Sequence, residues 1–303
     1  MSEPAIRVSG LVKNYGEFTA VDGIDLEVGV GEVFAFLGPN GAGKTTTVET
    51  LEGYRDRTEG EVTVLGIDPA EANRGWRERI GIVLQECEMQ PQLTVRETLD
   101  LYAGYYREPR GVDETIEVVG LEEKAEERAG KLSGGQQRRL DVAIALIGDA
   151  ELLFLDEPTT GCDPQARRQT WTAIANLKQL GKTIFLTTHY MDEAQFLADR
   201  VAIIADGKIV AEGAPDELGG RATAATVITF RLPAGVEASR IPEAAGAPTV
   251  VGSEVELAAG DPTRALNHLT GWAIDQGIEL SGLTVARPSL EDVYLSLTEE
   301  PPE

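Results

Sequence analysis

Three short stretches of this chain combine residue types and spacings that could do chemistry on phosphate. Gly38-Pro39-Asn40-Gly41-Ala42-Gly43-Lys44-Thr45 fits the spacing G-x-x-x-x-G-K-[ST]. The glycines let backbone N–H groups turn inward around phosphate oxygens, and a helix starting at Lys44 adds its positive N-terminal end. Lys44 would then reach the β- and γ-phosphates of a nucleotide and Thr45 would hold Mg²⁺. Further on, Leu152-Leu153-Phe154-Leu155 runs into Asp156-Glu157. Four apolar residues bury a strand and push Asp156 to its C-terminal end, where it can join the Mg²⁺ shell. Glu157 then falls beside the γ-phosphate and can polarise a water as general base. Between these two lies Leu132-Ser133-Gly134-Gly135-Gln136, at the head of a helical stretch that runs to Ile147. That is a second helix N-terminus suited to an anion. One nucleotide needs one phosphate cradle, so the second is best explained as serving a nucleotide held by another copy. Each stretch alone has an ordinary reading: a glycine turn with a stray lysine, a strand ended by acids, a Ser-Gly-Gly helix cap.

The elements needed to position these groups can be read around them. Ile6–Val12, Ile24–Val28 and Val33–Leu37 are short, apolar and rich in β-branched or aromatic residues, as are Glu61–Leu65 and Ile80–Leu84. A helix is expected from Lys44 to about Gly53. The stretch 86–147 is poor in β-branched runs and rich in helix formers, so it reads as a mostly helical insert. Helix 164–180, strand Thr183–Thr187, helix 191–198 and strand Val201–Ala205 follow, and Asp206-Gly207 turns a hairpin into Ile209–Ala211. Strands alternating with helices predict an α/β domain with a largely parallel sheet. The composition changes at 213–225, where a domain boundary is expected. Beyond it, Thr226–Leu232, Val250–Leu257 and Ile278–Ala286 read as strands. Residues 262–276 read as a helix with Leu266, Leu269 and Ala273 on one face, and Ser289 to Thr298 as a last helix carrying Leu290, Val293 and Leu297.

From about residue 5 to 215 the motifs and their order resemble the nucleotide-binding subunit of an ABC transporter. Tyr15 in Lys-Asn-Tyr-Gly resembles the aromatic that stacks on adenine, and Gln85 the glutamine that senses Mg²⁺ and the attacking water. Gly161-Cys162-Asp163-Pro164 resembles the D-loop that crosses to the partner subunit, with Asp163 its acidic residue, and His189 the switch histidine on the γ-phosphate. The resemblance implies ATP contacts from Tyr15, Gly38, Asn40, Gly41, Gly43, Lys44, Thr45 and Thr46. It implies Mg²⁺ held through Thr45, Gln85 and Asp156, and catalysis by Glu157, His189, Lys44 and Gln85. Ser133, Gly134, Gly135 and Gln136 would face the partner's ATP. Two features depart from the pattern: Cys162 stands where a larger apolar residue is usual, and no proline precedes Gln85. Gln136-Gln137-Arg138-Arg139-Leu140-Asp141, Thr187–Ala194 and Ala286-Arg287-Pro288-Ser289-Leu290-Glu291-Asp292-Val293-Tyr294 are most similar to the daunorubicin-type multidrug-resistance exporters.

The implied fold is α/β: a P-loop ABC ATPase domain over 1–217, with a mixed sheet and a helical subdomain at about 86–147, and a small α/β C-terminal domain over 222–303. The implied function is ATP binding and hydrolysis with ATP-driven dimerisation that powers a separate integral membrane permease of the exporting type. The partners would be a second copy of the chain and that permease, at the inner face of the cell membrane. Composition bears on the rivals. Fifty-one acids against 27 bases give a net charge of −24, which argues against coating nucleic acid or an anionic bilayer. The longest apolar run, Val142 to Gly148, is far short of the about 18–20 residues of a membrane span. Met1-Ser-Glu-Pro shows neither the basic nor the apolar stretch of a secretory signal, and two cysteines make no disulfide framework, so a cytoplasmic setting is expected. The competing reading is a soluble ABC-type ATPase without a permease. Such proteins usually carry two cassettes or a long coiled coil, and neither is visible here.

Overall fold

The computed structural model describes residues 3–84, 89–220, 225–233 and 235–298, with the side chains of 251 and 296–298 excepted. The chain divides into two compact units, Met1–Pro215 and Asp216–Glu303.

The first unit holds nine strands and seven α-helices among the described residues: β1 (Ile6–Tyr15), β2 (Phe18–Val28), β3 (Val33–Leu37), α1 (Lys44–Leu51), β4 (Glu59–Val64), α2 (Arg74–Arg77), β5 (Ile80–Val83), α3 (Val95–Ala103), α4 (Val112–Val118), α5 (Gly134–Leu146), β6 (Leu152–Asp156), α6 (Pro164–Gln179), β7 (Thr183–Thr188), α7 (Met191–Leu197), β8 (Arg200–Ala205) and β9 (Lys208–Gly213). They make two sheets rather than one. A six-stranded sheet has the order β5-β6-β7-β3-β8-β9, and a three-stranded sheet the order β2-β1-β4. All neighbours in the larger sheet are parallel except β8 and β9, while the smaller sheet is antiparallel throughout.

The central strands alternate their side chains between two cores, as a period of two requires. Leu153, Leu155, Ile184 and Leu186 point into a core shared with helices α3 to α6. Leu152, Phe154, Phe185, Phe34 and Phe36 point into the other, against the three-stranded sheet. There the Phe185 ring is surrounded by Phe34, Phe36 and Phe154 at 5.6, 5.7 and 5.8 Å between centroids. Parallel pairing also aligns the strand ends. Leu37 is level with Thr188 across one ladder, and Asp156 with Thr187 across the next. The last residues of β3, β6 and β7 therefore open onto one edge of the sheet, the usual place for a ligand in an open α/β sheet.

The antiparallel sheet differs from the expectation. β1 and β2 run 10 and 11 residues, well past the apolar segments at 6–12 and 24–28. Their pairing shifts register at three places, and Gly10 has φ 58° inside the strand, so no unbroken alternation marks their full length.

In the second unit β10 (Thr226–Arg231), β11 (Pro248–Val251), β12 (Glu254–Ala259) and β13 (Ser281–Ala286) form an antiparallel sheet of order β11-β12-β10-β13, with α8 (Pro262–Gln276) and α9 (Leu290–Thr298). Ile228, Phe230, Val255, Leu257 and Ala259 pack on Ala265 and Leu269 of α8. The single strand expected at 250–257 is two strands folded back at Gly252, whose φ of 66° suits the turn. No helix among the described residues is long and apolar enough to cross a membrane.

Candidate nucleotide-binding site

The strand ends of the first unit frame a cleft of ≈920 Å³. Its lining includes Tyr15, Asn40, Gly41, Gly43, Lys44, Thr45, Thr46, Glu157 and His189. Gly38 lies beneath it, fully packed: a Cβ there would come within 2.4 Å of the Ile204 carbonyl oxygen. Gly43 is equally constrained, with φ 104° and only 2.4 Å from a built Cβ to the Ala20 carbonyl oxygen. It is the N-cap of α1, and no side chain caps that helix end.

Lys44 is buried to 7 % exposure. Its ammonium donates to the carbonyl oxygens of Gly38 at 2.7 Å and Pro39 at 3.1 Å. Burial lowers its pKa, and the charges of Glu157 and Asp156 act in the opposite direction. Thr45, the next residue, is exposed to the cleft.

Asp156 ends β6, and its Oδ1 accepts a short hydrogen bond from the Thr187 hydroxyl. Glu157 follows with φ 45°, left-handed and unusual for a residue other than glycine. Its amide donates to the Thr187 carbonyl at 3.1 Å and the Thr187 hydroxyl at 3.0 Å. Its Oε2 accepts from the Thr160 hydroxyl at 2.9 Å and lies 3.3 Å from Nδ1 of His189. This carboxylate therefore stands at the cleft with a histidine beside it.

Tyr15 is 41 % exposed at the rim. The Arg55 guanidinium is 5.3 Å and the Lys13 ammonium 5.2 Å from its ring centroid. The ring thus sits half-exposed beside two cations within cation–π range. Gln85 lies outside the described residues.

Ser133, Gly134, Gly135 and Gln136 do not line the cleft. They begin α5 with a complete capping box: Gln136 donates its amide to Ser133 Oγ, and Ser133 donates its amide to Gln136 Oε1 at 2.9 Å. Gly135 has no room for a side chain, because its Cβ would meet that of Ala166 on α6 at 2.4 Å. Asp163 also lies away from the cleft. It caps α6, accepting from the amides of Gln165 at 2.9 Å and Ala166 at 2.8 Å.

Several participants escaped the sequence reading. Thr187, expected only as a strand end and the first residue of the Thr187–Ala194 stretch, bonds both Asp156 and the Glu157 amide. Thr160 and Arg55 line the cleft without belonging to a motif. Two buried carboxyls have ordinary helical surroundings in sequence. Glu193 accepts from the Thr159 hydroxyl and the Trp171 indole, both at 2.8 Å, and burial raises its pKa. Glu52, at the end of α1, is pushed up to about 8 by burial, with the charges of Asp156 and Glu49 adding to the effect.

The chain is similar to known proteins in sequence and in fold. Residues 21–160 match the ABC transporter family, and residues 226–289 match a C-terminal domain described as ABC transporter domain-containing protein-like. The daunorubicin resistance ATP-binding protein DrrA2 of Streptomyces coeruleorubidus is 36 % identical over 97 % of this chain and 95 % of its own length. The Nod factor export ATP-binding protein I of Rhizobium meliloti (strain 1021) is 40 % identical over 97 % of this chain and 88 % of its own. Among solved structures, cbiO1 of Clostridium perfringens, part of the cbiONQ ABC transporter complex, superposes with a TM-score of 0.65 and 28 % identity, covering 71 % of this chain and 90 % of that one. A dimeric ATP-binding cassette bound to ADP and Pi gives a TM-score of 0.60 and 27 % identity, covering 69 % and 98 %. With near-full-length relatives at this identity and the same cassette fold, the chain belongs to the ABC transporter family as an ATP-binding subunit whose ATP hydrolysis is coupled to transport.

Proposed function

We propose that this chain is the ATPase of an exporter: two copies close over two ATP molecules at the inner face of the cell membrane and drive a separate integral membrane permease. The observation that supports its ATPase chemistry is the meeting of Lys44, Glu157 and His189 in one cleft, with Glu157 Oε2 and His189 Nδ1 3.3 Å apart. An ammonium for phosphate charge, a carboxylate to take a proton from water, and an imidazole to donate to the γ-phosphate are the parts that phosphoryl transfer to water requires.

In this mechanism the Lys44 ammonium exchanges the Gly38 and Pro39 carbonyls for phosphate oxygens. The N-terminal end of α1 faces the same phosphates, and the Tyr15 ring stacks on adenine. Glu157 Oε2 accepts the proton of the attacking water, while the Thr160 hydroxyl and His189 orient that oxygen. Ser133 and the N-terminus of α5 contact the γ-phosphate of the nucleotide held by the other copy, and Asp163 belongs to the loop that meets that copy.

Mg²⁺ fits the donor set. Thr45 and Asp156 supply hard oxygen ligands, and Gln85 is a third candidate. An ion arriving with a triphosphate would complete its shell with phosphate oxygens and water. When bound, it neutralises charge on the β- and γ-phosphates.

Export is supported by relatives named for daunorubicin resistance and Nod factor export, and a separate partner by cbiO1, which is part of an ABC transporter complex. The test is to purify the tagged chain from detergent-solubilised membranes of its host and identify what accompanies it. A stoichiometric polytopic membrane protein is the expected result. Ribosomal or purely soluble partners, with nothing from the membrane, would overturn the transporter reading in favour of a soluble ATPase.

A further inference from the structure

Arg138 stands on α5, five residues beyond the Ser133 cap, and is buried at 8 % exposure. Its guanidinium is spent on backbone carbonyls of another part of the fold. Nε donates to Pro158 at 3.0 Å, and Nη2 donates to Asp156 at 2.7 Å and Glu157 at 3.2 Å. Nη1 donates to the Leu84 carbonyl at 2.5 Å, at the end of the segment that leads to Gln85. Asp141, one helical turn along, has its Oδ2 3.6 Å from Nη1.

Three consecutive carbonyls aimed at one point repel one another unless a cation sits there. The chain turns them inward by placing Glu157 at φ 45°. A planar fork of five N–H donors suits that cluster, and a point charge with three donors does not. The opposite neighbour shows the contrast. Arg139, equally buried, donates to the Val119 carbonyl at 3.0 Å and the Gly120 carbonyl at 2.6 Å, beside α4, and makes no bond to the Glu157 turn.

We infer that Arg138 is a positioning residue: it holds the turn that aims the Glu157 carboxylate, and it ties that turn to the helix capped by Ser133. One helix thus carries the group offered to the other copy's nucleotide and the bolt on its own copy's general base. This rests on the roles proposed above for Glu157 and Ser133.

The test compares Arg138→Gln, Arg138→Lys and Arg139→Gln in the full-length chain, measuring ATP affinity, kcat, KM and thermal unfolding. Misplacing a catalytic group by about 1 Å costs about 10²-fold in rate, so Arg138→Gln should lower kcat by more than about tenfold. ATP affinity should stay within about twofold, because Arg138 does not line the cleft. Arg138→Lys should keep the fold and fail to restore kcat. Arg139→Gln should lose stability and keep kcat. An unchanged kcat in Arg138→Gln, or a loss matched by Arg139→Gln at equal destabilisation, would overturn the inference. Glu157→Gln, measured in parallel, separates the two levels. If it turns over at the wild-type rate, the general-base reading has failed; if it is dead while Arg138→Gln is normal, only the positioning role has.

Discussion

Helices α1 and α5 both begin at glycine-rich turns, yet their ends are finished differently. At α1 the N-cap is Gly43, with φ 104°, and no side chain closes the end. At α5 Ser133 and Gln136 close a full capping box. An uncapped end with a lysine in its first turn leaves backbone donors to a ligand and is an anion site in itself. A capped end has already satisfied part of its donors. What it still offers is the Ser133 hydroxyl, which accepts from the Gln136 amide and keeps its own proton to donate, and the amides of Gly134 and Gly135, which the box does not use. The first helix therefore suits a whole triphosphate, and the second suits the terminal phosphate of a nucleotide held elsewhere. That difference is the physical case for a site completed by two copies.

The largest effect should come from the chemistry that the two ends serve. Glu157→Gln should cut phosphate release by about 10²–10⁴-fold while leaving ATP binding intact and accumulating an ATP-bound dimer. Turnover at the wild-type rate would remove Glu157 as the base. Next, Lys44→Ala deletes the charged donor of the first helix. Charge-assisted bonds contribute about 1.5–3 kcal/mol, so ATP affinity in equilibrium dialysis should fall about 10- to 100-fold. Unchanged affinity would mean that α1 is not the phosphate site.

The second helix gives a sharper contrast. Ser133→Asp keeps a good N-cap, so the melting temperature should barely move, whereas Ser133→Ala costs about 1 kcal/mol. The aspartate nevertheless sets a negative charge where a phosphate is to be met. ATP-induced dimerisation, followed by light scattering, should be lost in Ser133→Asp with ATP affinity of the single chain unchanged. A dimer as tight as wild type would break the distinction between the two ends.

The smallest effect concerns the far end of α1. Glu52 is pushed up to about 8 from an ordinary 4.5, so between those values the folded chain keeps a proton that the unfolded chain has released. Its contribution is fully present below about pH 4.5, declines as pH rises through that window, and is lost above about 8. Without nucleotide and with Mg²⁺ chelated, Glu52→Gln should flatten this part of the melting profile and gain a few degrees at pH 8.5. A parallel pair of profiles would show that Glu52 titrates normally.

Much of this was legible where the determinants are contiguous. Lys44 at the start of α1 and Asp156 at the end of β6 follow from local pattern: a glycine turn before helix formers, and a buried run ended by acids. Contacts made across the fold were not. Nothing near Arg138 in sequence announces the Pro158 carbonyl, and nothing near Glu193 announces Thr159 or Trp171. A buried carboxyl on α7 and an exposed one are spelled alike. The full length of β1 and β2 is hidden in the sequence because register shifts and Gly10 interrupt the alternation. In the second unit the hairpin at Gly252 was hidden because apolar residues continue on both sides of it.

The most direct test of a site shared between copies is complementation between two disabled chains. Lys44→Ala spoils a cleft and leaves its α5 end intact; Ser133→Asp does the reverse. In a mixed dimer one site carries both lesions and the other carries neither. Each variant alone should occlude no nucleotide and release no phosphate, and their mixture should occlude one ATP per dimer and regain hydrolysis. A mixture as inert as its components, under conditions where wild type dimerises, would contradict the account.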